Sequence, residues 1–342
     1  MNRAAPPERL AIERLAIIGA GAWGTALAIT ARRAGSAVRL WAHEPEVTAA
    51  LAERHENPVY LPGITIDAAI EATSDGAAAV AGASIVLLAV PAQHLRRVAL
   101  ALAPFIGADI PLVIATKGIE QGSGATMGEV LGDVLPGRPQ AVLSGPTFAI
   151  EVARGLPTAV TLATRDEPLG DRLVAALGTP GFRPYVSDDP IGSEIGGSVK
   201  NVLAIACGIV AGRGLGDNAR AALITRGLAE MVRLAVAKGG RRETLMGLSG
   251  LGDLTLTCTA TQSRNCSLGA ALGAGQSLAQ ILGGRRSVAE GVDTAAAVTE
   301  LAARLGIDMP IVGAVDAILH HGAGIDATIQ SLLTRPFRAE HG

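Results

Sequence analysis

Aromatic side chains make up only 2% of the 342 residues and charged ones 18%, against a hydrophobic fraction of 49%. The interior must therefore be built from Ala, Val, Leu and Ile. That suits a parallel sheet, whose strands are buried on both faces and read as continuous apolar runs. Cysteine is also scarce. Cys207, Cys258 and Cys266 are an odd set with no CxxC pair, which argues against both a disulfide framework and a zinc site. A reducing, cytoplasmic setting is the simpler expectation, with no metal. The formal net charge is -2 and no long basic run occurs, so composition gives no support to a nucleic-acid partner. Apolar stretches such as Ser84 to Val90 are too short to span a bilayer. Residues 1–13 carry Pro, Glu and Arg and fit neither a secretory signal nor a membrane anchor; they read as a disordered extension.

The length exceeds that of one compact domain, so two are expected, over residues 14–190 and 191–338. Short apolar runs at Leu15–Ile18, Val38–Trp41, Ser84–Val90, Leu112–Thr116, Ala141–Leu143 and Ala159–Ala163 alternate with helical or loop-like segments. The alternation predicts an α/β fold with a Rossmann-like, doubly wound, mostly parallel sheet. From Ile191 onward, Ala-rich segments with helical spacing take over, at Ser193–Val210, Asn218–Lys238, Leu268–Leu282, Thr294–Leu305 and Ile311–His320. The second domain is expected to be all helical. The glycines of 247–252 punctuate it and are good places for backbone to approach a ligand.

The string Gly19-Ala20-Gly21-Ala22-Trp23-Gly24 carries little by itself in a chain with 43 glycines. Its context carries more: it follows an apolar strand and opens a helix over Thr25–Arg33. Gly19 can make the tight turn, Gly21 can admit a pyrophosphate and Gly24 can let helix and strand pack closely. The helix N-terminus then offers free N–H groups to the phosphates. An acid at the end of the second strand usually serves an NAD ribose. Here His43 can stand near the 2′-phosphate of NADP, and Glu44 can instead serve the NAD ribose. Both alternatives stay open, as does that of a solvent-facing pair.

Four further places carry chemistry. Lys117 follows the fourth expected strand, where ligands of open sheets bind. Ser144-Gly145-Pro146-Thr147 follows the next and can bring backbone donors and a hydroxyl to a substrate, or form a plain turn. Lys200 lies inside an otherwise apolar helix. Burying a lysine is costly unless it is paired or used, and desolvation lowers its pKa toward the range suited to proton transfer. A lysine that snorkels to water is the plainer alternative. Farther on, Asp253, Thr257, Ser263, Arg264 and Asn265 gather an acid, two alcohols, a guanidinium and an amide. Arg264 can hold a phosphate through paired donors, or form a surface ion pair with Asp253.

Taken together, residues from about 14 to 335 resemble the bacterial NAD(P)-dependent glycerol-3-phosphate dehydrogenases. The likeness rests on ordered strings: Gly-Ala-Trp-Gly-Thr-Ala at 21–26, Asn57-Pro58 with Tyr60-Leu61-Pro62, Lys117-Gly118, Ser144 to Ala149, Lys200-Asn201, Asp217-Asn218, Gly250 to Leu254, Ser263-Arg264-Asn265 and Glu290-Gly291-Val292. The resemblance implies NADH- or NADPH-dependent reduction of dihydroxyacetone phosphate to sn-glycerol 3-phosphate, supplying glycerophospholipid synthesis. It implies Lys200 as catalytic proton donor and acceptor. It implies substrate contacts at Lys117, Gly145, Thr147, Lys200, Asp253, Ser263, Arg264 and Asn265. It implies cofactor contacts at Gly19, Gly21, Ala22, Trp23, Gly24, His43, Lys117, Ala149, Arg264, Val288 and Glu290. Thr147 stands where the family often has Ser, and His43 where it often has Arg. A homodimer is expected from family and size.

Overall fold

A computed structural model describes residues 13–283 and 289–336, and in it the apolar runs assemble into one eight-stranded sheet. The strands are β1 (Arg14–Ile18), β2 (Ala37–Trp41), β3 (Ile70–Thr73), β4 (Ile85–Leu88), β5 (Leu112–Ile114), β6 (Gln140–Ser144), β7 (Thr158–Ala163) and β8 (Phe182–Ser187). Their order is β3-β2-β1-β4-β5-β6-β7-β8, and every neighbouring pair is parallel except β6 with β7. All four residues of β4 are buried, as a strand covered on both faces requires. Alternate residues feed opposite cores: Leu15 and Ile17 face one, Ala16 and Ile18 the other.

Two strands go beyond the sequence expectation, and both lie at sheet edges. In β3 only Ile70 is buried, and β8 contains Arg183 and Pro184, so neither presents an apolar run. Edge strands tolerate proline and charge because one side of their backbone needs no partner.

The helices of this half are α1 (Ala22–Arg33), α2 (Pro45–Arg54), α3 (Gly76–Val80), α4 (Leu95–Leu102), α5 (Met127–Val134), α6 (Ala149–Arg154) and α7 (Glu167–Leu177). Beyond β8 come α8 (Pro190–Gly212), α9 (Gly216–Ala237), α10 (Arg242–Leu245), a π-turn at Leu248–Gly252, α11 (Asp253–Thr259) and α12 (Arg264–Gly273). The chain continues through α13 (Leu278–Gly283), α14 (Gly291–Leu305), α15 (Pro310–His320) and α16 (Ile325–Leu333). The helix expected over 268–282 is two helices, broken where Gly275 takes φ +95°. Residues 1–12 of the expected extension lie outside the described residues; Glu13 is described, and both its carboxylate oxygens bind Arg172, at 2.7 and 2.9 Å.

α8 is long and apolar enough to cross a bilayer, but 89% of its most apolar stretch is buried inside the protein. It is the central core helix, wrapped by α9, α11, α12 and α14. Its contact with α12 is backbone against backbone. A Cβ on Gly208 would lie 2.1 Å from the Cys266 carbonyl oxygen, and one on Gly269 2.0 Å from that of Ile205. Nothing larger than glycine fits there, and this close crossing brings the start of α12 beside the middle of α8.

Glu230 shows how the helical half is locked. α15 begins at Pro310 with no side-chain cap of its own, and the buried Glu230 on α9 accepts from Ile311 N (2.8 Å) and Val312 N (3.2 Å). Burial raises its carboxyl to about 7, against the pull of those two N–H groups. Glu230→Ala leaves both donors unpaired and is expected to cost about 2–4 kcal/mol at pH 6, measured by denaturant unfolding. The wild-type carboxyl keeps its proton to higher pH when folded than when unfolded, so wild-type stability falls as pH rises from 4.5 toward 7. The alanine variant lacks that loss, and the gap between the two must narrow with rising pH; a gap that widens contradicts this account.

Candidate active site at the carboxyl end of the sheet

Two glycines of the loop have the expected packing roles, each with a distinct cause. Gly19 sits at φ +113°, where a Cβ would lie 2.7 Å from Ala89 O. A Cβ on Gly24 would lie 1.8 Å from Gly19 O, so that glycine lets α1 press onto the turn. At Gly21 a Cβ would meet nothing within 4 Å, so internal packing gives no reason for a glycine there. An approaching ligand does. No side chain caps α1, no acid stands in its first turn, and the buried Trp23 indole nitrogen has no hydrogen-bond partner among the described residues. Uncapped donors and an open backbone at a helix start fit a dinucleotide's pyrophosphate.

At the end of β2, Glu44 is held by Tyr60 Oη at 2.9 Å, while His43 is exposed with its ring 5.9 Å from that of Trp41. Ala149 opens α6 and packs against the sheet's core. Val288 lies outside the described residues.

The chemistry concentrates on one carboxylate. Asp253 begins α11 and is fully buried. Its Oδ2 accepts from Lys117 Nζ at 2.7 Å and its Oδ1 from Lys200 Nζ at 2.5 Å. Lys117 stands on the loop after β5 and also donates to Gly145 O at 3.1 Å; that carbonyl takes the Thr147 hydroxyl too, at 3.2 Å. Lys200 is in the middle of α8 and donates to Thr257 Oγ1 at 3.0 Å. It does not snorkel: its side chain is 8% exposed. Burial lowers Lys200 to about 8, with Asp253 pulling it back up and Lys117 pushing it further down. The surface pairing of Asp253 with Arg264 is thus replaced by a buried triad of Lys117, Asp253 and Lys200.

Thr257, named in the sequence with the Asp253 cluster but given no contact by the resemblance, stands four residues after Asp253 on the same helix. That spacing stacks both groups on one face, where Thr257 Oγ1 donates to Asp253 O at 2.7 Å.

The α12 start supplies the other expected residues. Ser263 caps the helix, accepting from Cys266 N at 3.2 Å. Arg264 is its first residue and is exposed. Asn265 turns inward instead: its Nδ2 donates to Asn201 Oδ1 at 2.9 Å and its Oδ1 accepts from Gly291 N at 3.1 Å. Both of its polar atoms are thereby engaged within the protein. Glu290, just before α14, is raised to about 7 by burial, with Arg264, then Lys117 and Lys200, drawing it down. Three cations and a carboxyl at the edge of ionisation therefore share this end of the site. Of the glycines at 247–252, Gly250 is required by backbone packing. A Cβ on Gly250 would strike Leu245 O at 2.1 Å, and one on Gly196 of α8 would strike Ser249 O at 2.4 Å.

Comparison with known proteins covers most of the chain. Residues 14–169 match the N-terminal family model of NAD-dependent glycerol-3-phosphate dehydrogenase, and residues 189–330 match the C-terminal one. A glycerol-3-phosphate dehydrogenase [NAD(P)+] of Rhodospirillum rubrum is 60% identical over 97% of this chain and 95% of its own. One from Caulobacter vibrioides is 55% identical over 97% of this chain and 100% of its own. The crystal structure of glycerol-3-phosphate dehydrogenase from Coxiella burnetii superimposes with a TM-score of 0.92 at 42% identity, covering 95% of this chain and 99% of that one. With a glycine loop shaped for a dinucleotide and both halves matched, the chain belongs to the NAD-dependent glycerol-3-phosphate dehydrogenase family.

Proposed function

We propose that the protein reduces dihydroxyacetone phosphate reversibly to sn-glycerol 3-phosphate, with NADH or NADPH as reductant. The observation that carries the reading is the buried carboxylate shared by two lysines, one of them held near neutrality. The bound nicotinamide supplies the hydride. As the substrate carbonyl carbon accepts it, the electron pair of the C=O π bond moves to oxygen, and Lys200 Nζ transfers a proton there. Lys200 is left as the free amine and regains its proton from solvent. Asp253 and Thr257 fix the Nζ in place, and Lys117 adds a second positive charge beside the developing alkoxide. Arg264, the first residue of α12, grips the phosphate with help from the helix dipole. Ser263 and Asn265 shape that end; Gly145 and Thr147 line the opposite wall.

For the dinucleotide, Gly19, Gly21, Ala22, Trp23 and Gly24 hold the pyrophosphate, and His43 and Glu44 meet the adenosine ribose. Lys117, Ala149, Arg264, Val288 and Glu290 complete its contacts. We assign the protein to the cytoplasm as a homodimer, with its product feeding glycerophospholipid synthesis; the family resemblance supports these assignments. The test is oxidation of NADH and of NADPH with dihydroxyacetone phosphate, unphosphorylated dihydroxyacetone and a 2-keto acid as alternative acceptors. Turnover is expected only with the phosphate ester to any large degree, because Arg264 has no anion to hold in dihydroxyacetone. The loss of that charge-assisted contact lowers kcat/KM on the order of 100-fold. Equal rates with the 2-keto acid, or none with either cofactor, overturn the reading.

A further inference from the structure

Glu194 is a buried carboxyl that the reaction does not use. It lies on α8 six residues before Lys200, and its Oε1 accepts from Gly128 N at 2.7 Å. It also hydrogen-bonds the Thr126 side chain. Thr126 is the N-cap of α5 and forms a capping box with Glu129, which in turn binds Lys238 at 2.6 Å. The capping box satisfies the N–H groups of Thr126 and Glu129, and Glu194 takes that of Gly128 between them, so the cap of α5 is completed from α8 rather than from its own segment.

What Glu194 holds is the neck of a loop. Residues 119 and 126 bridge to one another, closing a turn that starts two residues after Lys117. Inside the neck, Glu120 N donates to Ala125 O at 3.0 Å. Ile119, although it follows β5, is fully buried among α8 residues Ile195 and Val199 rather than in the sheet's own cores. The segment after Lys117 is held from three sides, by Gln93 and Arg96, by Arg304 of α14, and at its far end by Glu194 of α8, the helix that also carries Lys200. The room left for this contact is narrow: a Cβ on Gly128 would lie 3.2 Å from Glu194 Oε2 and 3.3 Å from Gln140 Oε1.

We propose that Glu194 is a positioning residue, which by gripping the neck of the Lys117 loop from α8 sets the spacing of Lys117 and Lys200 around Asp253. Substrate and cofactor do not touch it. The inference rests on the reading of Lys200 and Lys117 given above. An ångström of slack between the two lysines is enough to spoil proton transfer, because reaction rates depend steeply on near-attack geometry.

The test compares Glu194→Met, which keeps the volume and loses the acceptor, with Glu194→Gln, whose amide oxygen can still accept from Gly128 N–H. The methionine variant is expected to lower kcat on the order of tenfold and to raise KM for NADH by no more than about twofold, since Lys117 is one cofactor contact among many. The glutamine variant is expected to restore kcat to within about twofold of wild type. Thr126→Val, which removes the hydroxyl at the neck, serves as the second variant if the methionine protein does not fold, with the same split between kcat and KM expected. Wild-type kcat in the methionine and valine variants, or a glutamine variant as impaired as methionine, overturns the proposal. A loss traced wholly to a smaller folded fraction, by active-site titration with NADH, does so as well. Lys200→Met is run alongside: if it stays active, the reading of the site fails instead.

Discussion

Lys200→Met is expected to lower kcat for dihydroxyacetone phosphate reduction on the order of 1,000-fold while NADH binding is retained. The variant should fold. Asp253 keeps Lys117 at 2.7 Å, so removing Lys200 leaves no lone buried charge, and methionine fills an apolar helix position. Lys200 is held below its unfolded value, so between about 8 and 10.5 the unfolded chain binds the proton that the folded chain has released. Wild-type stability therefore gains from Lys200 as pH rises through that window, and below it carries the full burial penalty, which the methionine variant escapes. The wild-type enzyme supplies a second check. Reduction needs the protonated amine and should weaken as pH rises through about 8, whereas oxidation needs the free amine and should strengthen over the same range. Fluorescence titration with NADH and pH profiles in both directions measure this. Near-normal turnover in the variant, or limbs of the same sign in both directions, sinks the assignment of Lys200 as the proton donor.

Asp253→Asn reaches further because one side chain serves two lysines. The amide still accepts one hydrogen bond, but it no longer balances the charges of Lys117 and Lys200, which then face each other in a buried place. Breaking a buried ion pair from one side costs about 3–5 kcal/mol, and the effect should appear as a lowered unfolding midpoint. Activity should fall with it. Asp253 is the main influence raising Lys200 against burial, so its loss pushes the amine below about 8 and moves the alkaline limb of the reduction profile toward acid. A stable variant with an unmoved limb contradicts the shared-carboxylate picture. A destabilised variant whose remaining folded enzyme regains activity at lower pH supports it, because protonated Lys200 is then restored.

These effects were only partly legible in the chain. The continuous apolar runs of β1, β4 and β5, the glycine loop ahead of α1 and the ordered motif strings made the sheet, the dinucleotide fold and the family readable. Each depends on neighbours within a few residues. Lys200 stood out for the same reason, as one cation inside an apolar helix. The edge strands β3 and β8 did not, because half-exposed strands carry no apolar run.

The pairing within the site belongs to another scale. Asp253 meets Lys117 across 136 positions of chain and Lys200 across 53, and local spacing offered Arg264 as an equally good partner. Packing decided otherwise: α8 and α12 touch through glycines, the π-turn at 248–252 lies against α8, and Asp253 starts its helix at full burial beside both amines. The same crossing turned Asn265 inward to Asn201 and Gly291. Sequence by itself determined which residues had chemistry to offer, since side-chain type and local periodicity are properties of the chain. Only the tertiary structure decided which charge answers which, because a buried ion must find its partner in space, where desolvation makes the nearest opposite charge decisive.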